Sequence, residues 1–242
     1  MQFEVVTLFP ELFAGPLAAS LLGKAVASGL IQVFFTSPRD FATDKHRTVD
    51  DTPYGGGVGM VMKPDVLVAA MEAAAAARGP AWRVMMSPRG APLTQARVRA
   101  LAARPRVLLL CGRYEGIDER VRAAHIDEEL SLGDFVLSGG ELAAACVIDA
   151  VARYVPGVLG DATSVDVESF SAGLLEHPQY TRPPVFRGAE VPPVLLSGNH
   201  EAIRRWQRKQ ALHETRARRP DLLATAPLSA EDKKLLAEEP DA

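Results

Sequence analysis

The chain has 242 residues, 48% of them hydrophobic and only 6% aromatic, enough for an aliphatic buried core in one or two domains. Its net charge of −3, from 27 basic and 30 acidic residues, gives no overall case for binding nucleic acid. No stretch approaches the roughly 18 uninterrupted apolar residues of a membrane span, and the opening MQFEVVTLFP lacks the basic n-region of a signal peptide.

The first two-thirds alternates strand-like and helix-like pieces. Phe3 to Phe9 reads as a strand, Leu17 to Ser28 as a helix stopped by Gly29, and Leu30 to Phe35 as a second strand. Pro64-Asp65 opens an alanine-rich helix that Gly79 ends. Trp82 to Met86 is a strand, and Thr94 caps a helix running to Ala103, ahead of Pro105. Val107 to Cys111 is apolar at every position, the pattern of a strand buried on both faces. Ile126 to Leu132 reads as another strand, and Glu141 to Tyr154 as a helix closed by Pro156-Gly157. This order predicts an α/β fold with a mainly parallel sheet. Cys111 and Cys146 both lie in apolar stretches, with no CxxC pair or nearby histidines, and read as small core residues. A reduced, cytoplasmic protein with no metal site is the expectation.

The character changes after Gly160. Residues 161 to 195 are proline-rich with little periodicity and read as a linker crossing the surface. From Gly198 onward the chain is helical and basic, and Ser229 to Asp232 caps a last short helix. The predicted division is an α/β domain over 1–160, a linker over 161–175 and a small helical domain over 176–242. Between Ile203 and Arg219, seven cations face the single acid Glu214. Exposed charges are felt only over about 10 Å in physiological salt, so such a run can hold phosphate on an acidic protein.

Three glycine-containing loops follow strand-like segments: Ser87 to Gly90, Gly112 to Gly116 and Gly133 to Gly140. In open α/β sheets, ligands bind at the carboxyl ends of strands, where such loops gather. Any one of them reads equally well as a tight turn. Together, with apolar Phe135 and Leu137 among them, they favour a pocket that holds an adenine by backbone hydrogen bonds. None is GxxxxGK[ST], and none is GxGxxG opening a helix with an acid some twenty residues on, which argues against a nucleoside triphosphate or a Rossmann-bound dinucleotide. Tyr54 to Gly59 has no capped helix after it and reads as a flexible or ligand-shaped loop.

Several long runs, in order, closely resemble the bacterial tRNA (guanine-N1)-methyltransferases, the TrmD family of the SPOUT methyltransferases. They are Asp44 to Asp51, Pro53 to Met60, Cys111 to Arg120, Gly133 to Leu142, Pro156 to Gly160, Tyr180 to Pro183 and Val191 to His200. The resemblance implies a deep trefoil knot in the α/β domain, a homodimer, and S-adenosylmethionine bound in a bent shape by the knot loops. Carried over, Gly112, Leu132, Gly133, Asp134, Phe135, Val136 and Leu137 line the cofactor. Ser87, Pro88, Tyr114, Glu115, Gly116, Gly139 and Gly140 stand close behind. The implied substrate is the guanosine 3′ of the anticodon, tRNA position 37, especially when another G precedes it.

Guanine N1 carries a proton, so a carboxylate base must remove it before N1 can attack a methyl group. Charge building on O6 needs a cationic or amide donor. The family uses an aspartate and an arginine. The arginine matches Arg153, which without the resemblance reads as a surface residue stabilising a helix C-terminus. The family's aspartate is replaced here: Glu168 precedes the Ser-Phe that fixes the register, and Asp166 is the alternative base. The resemblance also places His46, Arg47 and Tyr54 near the target base. It assigns Ser197, Asn199, His200, Arg204 and Arg205 to the anticodon branch of tRNA. Trp206 reads either as a base-stacking residue or as a packing anchor. A catalytically silent RNA-binding module is the alternative function, and the joint presence of acid, arginine and cofactor loop weighs against it.

Overall fold

The computed structural model describes residues 1–160, 165 and 168–239. They form two compact units, Met1–Ala162 and Thr163–Ala242. The first opens with β1 (Gln2–Val6), a 3-10 turn over Pro10–Phe13, and two short helices, α1 (Ala14–Ala18) and α2 (Ser20–Ala27). The sequence suggests one helix over this region. The chain instead breaks at Ala19, which is extended, and at Ser20, whose φ is 54°. Gly23 permits the break, because a Cβ there would lie 2.5 Å from the Ala18 carbonyl carbon.

Next come β2 (Gln32–Thr36), the two-residue strands β3 (Asp50–Asp51) and β4 (Val61–Met62), and α3 (Pro64–Arg78). The helix stops at Gly79, whose φ of 87° suits glycine. β5 (Trp82–Pro92), α4 (Gln95–Ala102), β6 (Arg106–Cys111), α5 (Glu119–His125), β7 (Glu128–Ser131) and α6 (Glu141–Ala152) complete the unit. The main sheet has the order β2-β1-β6-β5-β7, and every pairing in it is parallel. All its carboxyl ends therefore lie along one edge. β6, β5 and β7, which carry the three glycine loops, are neighbours there.

The apolar run of β6 serves two cores. Val107, Leu109 and Cys111 pack with Phe3, Val5, Ile148 and Val151 on one face. Leu108 and Leu110 pack with Val66, Leu67 and Met71 on the other. Each buried aliphatic side chain is worth about 2 kcal/mol, so this strand anchors both layers. Burial, with the Glu141 carboxylate adding to it, pushes the Cys111 thiol well above its ordinary value, which keeps it an inert packing group. Cys146 corrects the sequence reading, because it is exposed. α6 turns Ala143, Ala144, Val147, Ile148 and Val151 inward, and Cys146 falls on the outer row with Leu142 and Asp149.

The second unit contains a short hairpin, β8 (Val185–Phe186) with β9 (Ala189–Glu190). Four helices follow: α7 (Pro193–Leu196), α8 (His200–Arg218), α9 (Pro220–Thr225) and α10 (Ala230–Ala237). Leu174, Leu212 and Leu235 form its buried centre. Leu174 lies in the 161–175 stretch. Ser229 and Asp232 make both halves of a capping box on α10. Among the described residues, no helix is long and apolar enough to cross a membrane.

Candidate active site

The three glycine loops converge on one cavity of about 610 Å³ in the first unit. Within β5 the register slips, so that Met86 and Ala91 both oppose Leu130 and residues 87–90 bulge out of the sheet. That bulge brings Ser87 and Pro88 to the cavity wall. The loop after β6 contributes Gly112, Tyr114, Glu115 and Gly116. The loop after β7 contributes Leu132, Gly133, Phe135, Val136 and Leu137, then Gly139 and Gly140. Asp134, expected beside them, is not part of the lining. Gly133, at φ 157°, tucks Phe135 back against its own Cα, and Asp134 lies between the two.

The lining combines apolar side chains with glycine backbone. Phe135, Val136 and Tyr114 are exposed large hydrophobic residues, which in a folded protein mark a surface meant to be covered. At Gly116, φ is 126° and a Cβ would meet no protein atom within 4 Å, so glycine keeps open space there that a side chain would enter. A flat ligand with an apolar face and polar edges fits this combination.

Sequence reasoning missed Arg113, although it stands inside the Gly112 to Gly116 run. Arg113 Nε lies 2.9 Å from Glu141 Oε2, a charge contact without hydrogen-bond alignment. Arg113 Nη1 donates to the Ser138 carbonyl at 3.2 Å, and its guanidinium sits 4.4 Å from the Phe9 ring centroid. The Thr7 hydroxyl donates to Glu141 Oε1 at 2.8 Å. Arg113, Ser138 and Gly139 line the cavity, whereas Glu141 does not.

A family model described as tRNA (Guanine-1)-methyltransferase TrmD matches residues 1–225. The chain belongs to this family. It is 58% identical over 238 residues to the tRNA (guanine-N(1)-)-methyltransferase of Anaeromyxobacter sp. (strain K), covering 98% of this chain and 96% of that protein. The enzyme of the same name from Myxococcus xanthus (strain DK1622) is 60% identical over 235 residues, with 97% and 95% covered. That of Geobacter metallireducens (strain ATCC 53774 / DSM 7210 / GS-15) is 53% identical over 238 residues, with 98% and 97% covered.

The residues that the TrmD resemblance singles out fall in both units. Arg153 is the half-buried C-cap of α6 in the first unit. Glu168 is half-buried in the second, where its carbonyl accepts from Ser171 N at 3.1 Å. Asp166 lies outside the described residues. His46, Arg47 and Tyr54 are all exposed. Asp44 organises the turn that carries the first two, accepting from His46 N at 3.0 Å and from Thr48 N at 2.9 Å. Those bonds, with the Thr48 hydroxyl foremost, hold the Asp44 carboxyl below its ordinary value. Arg47 pairs with Asp40. The Tyr54 loop is docked at its far end: a Cβ on Gly59 would lie 2.5 Å from Glu115 Oε1.

In the second unit, Ser197 donates to the Val194 carbonyl at 2.7 Å, and Asn199 caps α8 through a 3.2 Å bond from Ala202 N. His200 and Arg204 are exposed. Arg205 is not a bare cation: its Nη2 lies 2.5 Å from Glu238 Oε1. Arg208 pairs with Asp232, Arg218 with Glu214 and Arg219 with Asp221. The basic run is thus offset partly by Glu214 within it and Asp221 just past it, and partly by Asp232 and Glu238, which a count along the segment cannot register. Trp206 sits between His177 and Tyr180, at centroid distances of 6.4 and 6.2 Å, in the manner of a packing anchor. Among the described residues, no group of three His, Cys, Asp or Glu could hold a metal ion.

Proposed function

We propose that this chain transfers a methyl group to N1 of the guanosine at tRNA position 37, using S-adenosylmethionine held in the cavity of the first unit. The observation that carries this reading is the convergence of three separate glycine loops on one apolar-walled cavity in a TrmD-family chain. S-adenosylmethionine, when bound, supplies an electrophilic methyl group on a sulfonium. Leu132, Phe135, Val136 and Leu137 would cover its apolar faces, and the glycine backbones of the loops would take its polar edges.

The remaining chemistry falls to side chains. Glu168 takes the proton from guanine N1, freeing the nitrogen lone pair to form the new N–CH3 bond. Arg153 donates to O6 as negative charge spreads onto it. Asp166 is the second reading for the base. His46, Arg47 and Tyr54 meet the target nucleotide, while Ser197, Asn199, His200, Arg204 and Arg205 meet the anticodon branch. The division of labour is an α/β cofactor domain over 1–160, a linker over 161–175 and a tRNA-binding helical domain over 176–242. A trefoil knot of the SPOUT type, a homodimer and a cytoplasmic site of action complete the proposal. Exposed Leu12 and Leu142, which share a second depression with Phe9 and Arg113, suit a face covered by a second copy.

The test is methyl transfer from labelled S-adenosylmethionine to tRNA transcripts carrying G or A at position 37. Label should enter the G transcript alone. Equal labelling of the A transcript would exclude this specificity.

A further inference from the structure

Glu141 is 1% exposed and does not itself line the cavity, but its side chain faces Arg113, which does. Taking a carboxylate out of water is costly, and a buried ion pair seldom returns more stability than an apolar pair of the same volume. Fold stability alone is therefore a poor reason for an acid at this position. What the carboxylate does do is join three chain segments. One oxygen accepts from Thr7, just past β1. The other faces Arg113, in the loop after β6. Its own backbone begins α6, directly after the loop that follows β7.

Those two loops also meet through the backbone. Gly140 N donates to the Gly112 carbonyl at 2.9 Å, and Arg113 and Gly139 form an isolated bridge. The fit leaves no slack, since a Cβ on Gly139 would lie 2.2 Å from Arg113 Nε. Arg113 is held from four sides: by Glu141, by the Ser138 carbonyl, by the Phe9 ring and by the Gly139 backbone. If the Glu141 charge were removed, Arg113 would leave a half-closed site for water, and both loops would lose their common anchor.

We propose that Glu141 is a positioning residue: acting through Arg113, it fixes the 112–116 and 133–140 loops in the one arrangement that forms the cofactor cavity. This rests on the reading of that cavity as the S-adenosylmethionine site. Glu141 is buried and does not line the cavity, so its effect should pass through Arg113 to cofactor affinity and leave the tRNA KM alone.

The experiment compares the full-length protein with Glu141→Gln and with the double variant Arg113→Met/Glu141→Leu. Calorimetry gives the S-adenosylmethionine Kd, thermal unfolding gives Tm, and steady-state kinetics give the KM for tRNA. Glu141→Gln keeps an acceptor for Thr7 but loses the charge. It should weaken cofactor binding at least about tenfold, one decade of affinity, with the tRNA KM unchanged within about twofold. The double variant replaces the pair by apolar volume and should keep or raise Tm, yet show the same loss of cofactor affinity. Recovery of wild-type Kd in the double variant would overturn the proposal, because the pair would then be a matter of folding only. So would a Kd within about twofold of wild type in Glu141→Gln. If the unmodified protein bound no S-adenosylmethionine, the cofactor reading would fall and the proposal with it.

Discussion

The Gly140 amide donates to the Gly112 carbonyl at 2.9 Å, so the loops leaving β6 and entering α6 touch backbone to backbone. A Cβ on Gly140 would lie 2.8 Å from Cys111 Cα, a backbone atom that no rotamer change can move. Gly140→Ala should therefore push the loops apart, costing about 1–3 kcal/mol of stability. Cofactor affinity should fall with it by at least about tenfold. Unfolding in urea and calorimetric titration with S-adenosylmethionine check both parts, and an unchanged Kd would mean that the contact does not shape the cavity.

The proton-transfer assignment separates two acids two residues apart. Glu168→Gln should slow single-turnover methyl transfer by about 10²–10⁴-fold, the usual worth of a general base. Arg153→Ala should cost about 10²–10³-fold by removing a donor from developing charge on O6. Asp166→Asn should stay near wild type. Rapid-quench measurement with saturating cofactor and tRNA decides, and the reverse ranking of the two acids would transfer the base role to Asp166.

Arg204 and Arg205 are neighbours with different surroundings. Both are exposed, but Arg205 is engaged by Glu238. Arg204→Ala should raise the tRNA Kd and reduce the slope of log Kd against log salt by about one. Arg205→Ala should do less, because part of that charge is already spent within the unit. Filter binding across a salt series compares them, and a larger effect at Arg205 would contradict the ranking.

Acid should loosen the second unit through Asp232. The Arg208 guanidinium, helped by the Ser229 cap, holds its carboxyl at about 2 against an ordinary 3.8. The folded value lies below the unfolded one, so the stabilisation is full above the ordinary value and disappears as pH falls through about 2. At 1.36 kcal/mol per unit this comes to about 2 kcal/mol. Asp232→Asn should lose that amount at neutral pH and unfold with a shallower acid dependence. Denaturant unfolding at about pH 7 and about pH 3 tests it, and a wild-type acid dependence in the variant would remove Asp232 as the cause.

Much of the first unit is legible in sequence because its signals are local. Val107 to Cys111 lacks a polar position since β6 has a core on each face. The glycine loops announce the cavity because backbone conformation and close approach require glycine where they stand. Some departures are local, and others come from relationships across the chain. Cys146 is apolar and flanked by apolar residues, yet the helical period puts it outside. Asp134 lies among lining residues in sequence, yet the cavity lining passes from Gly133 to Phe135 without it. Arg113 gains meaning only beside Glu141 and Thr7, residues separated from it by dozens of positions. The partial offset of charge on α8 draws on Asp232 of α10 and Glu238 beyond it, as well as on Glu214 within the helix.

The central claim, methylation of guanine N1 in tRNA, is tested most directly by identifying the product nucleoside. A tRNA transcript with G at position 37 would be methylated by the purified protein, digested to nucleosides and resolved by chromatography with mass spectrometry. The expected product is 1-methylguanosine, mapped to position 37 by partial digestion. Methyl on a ribose 2′-oxygen, on another guanine atom, or on a different base would contradict it.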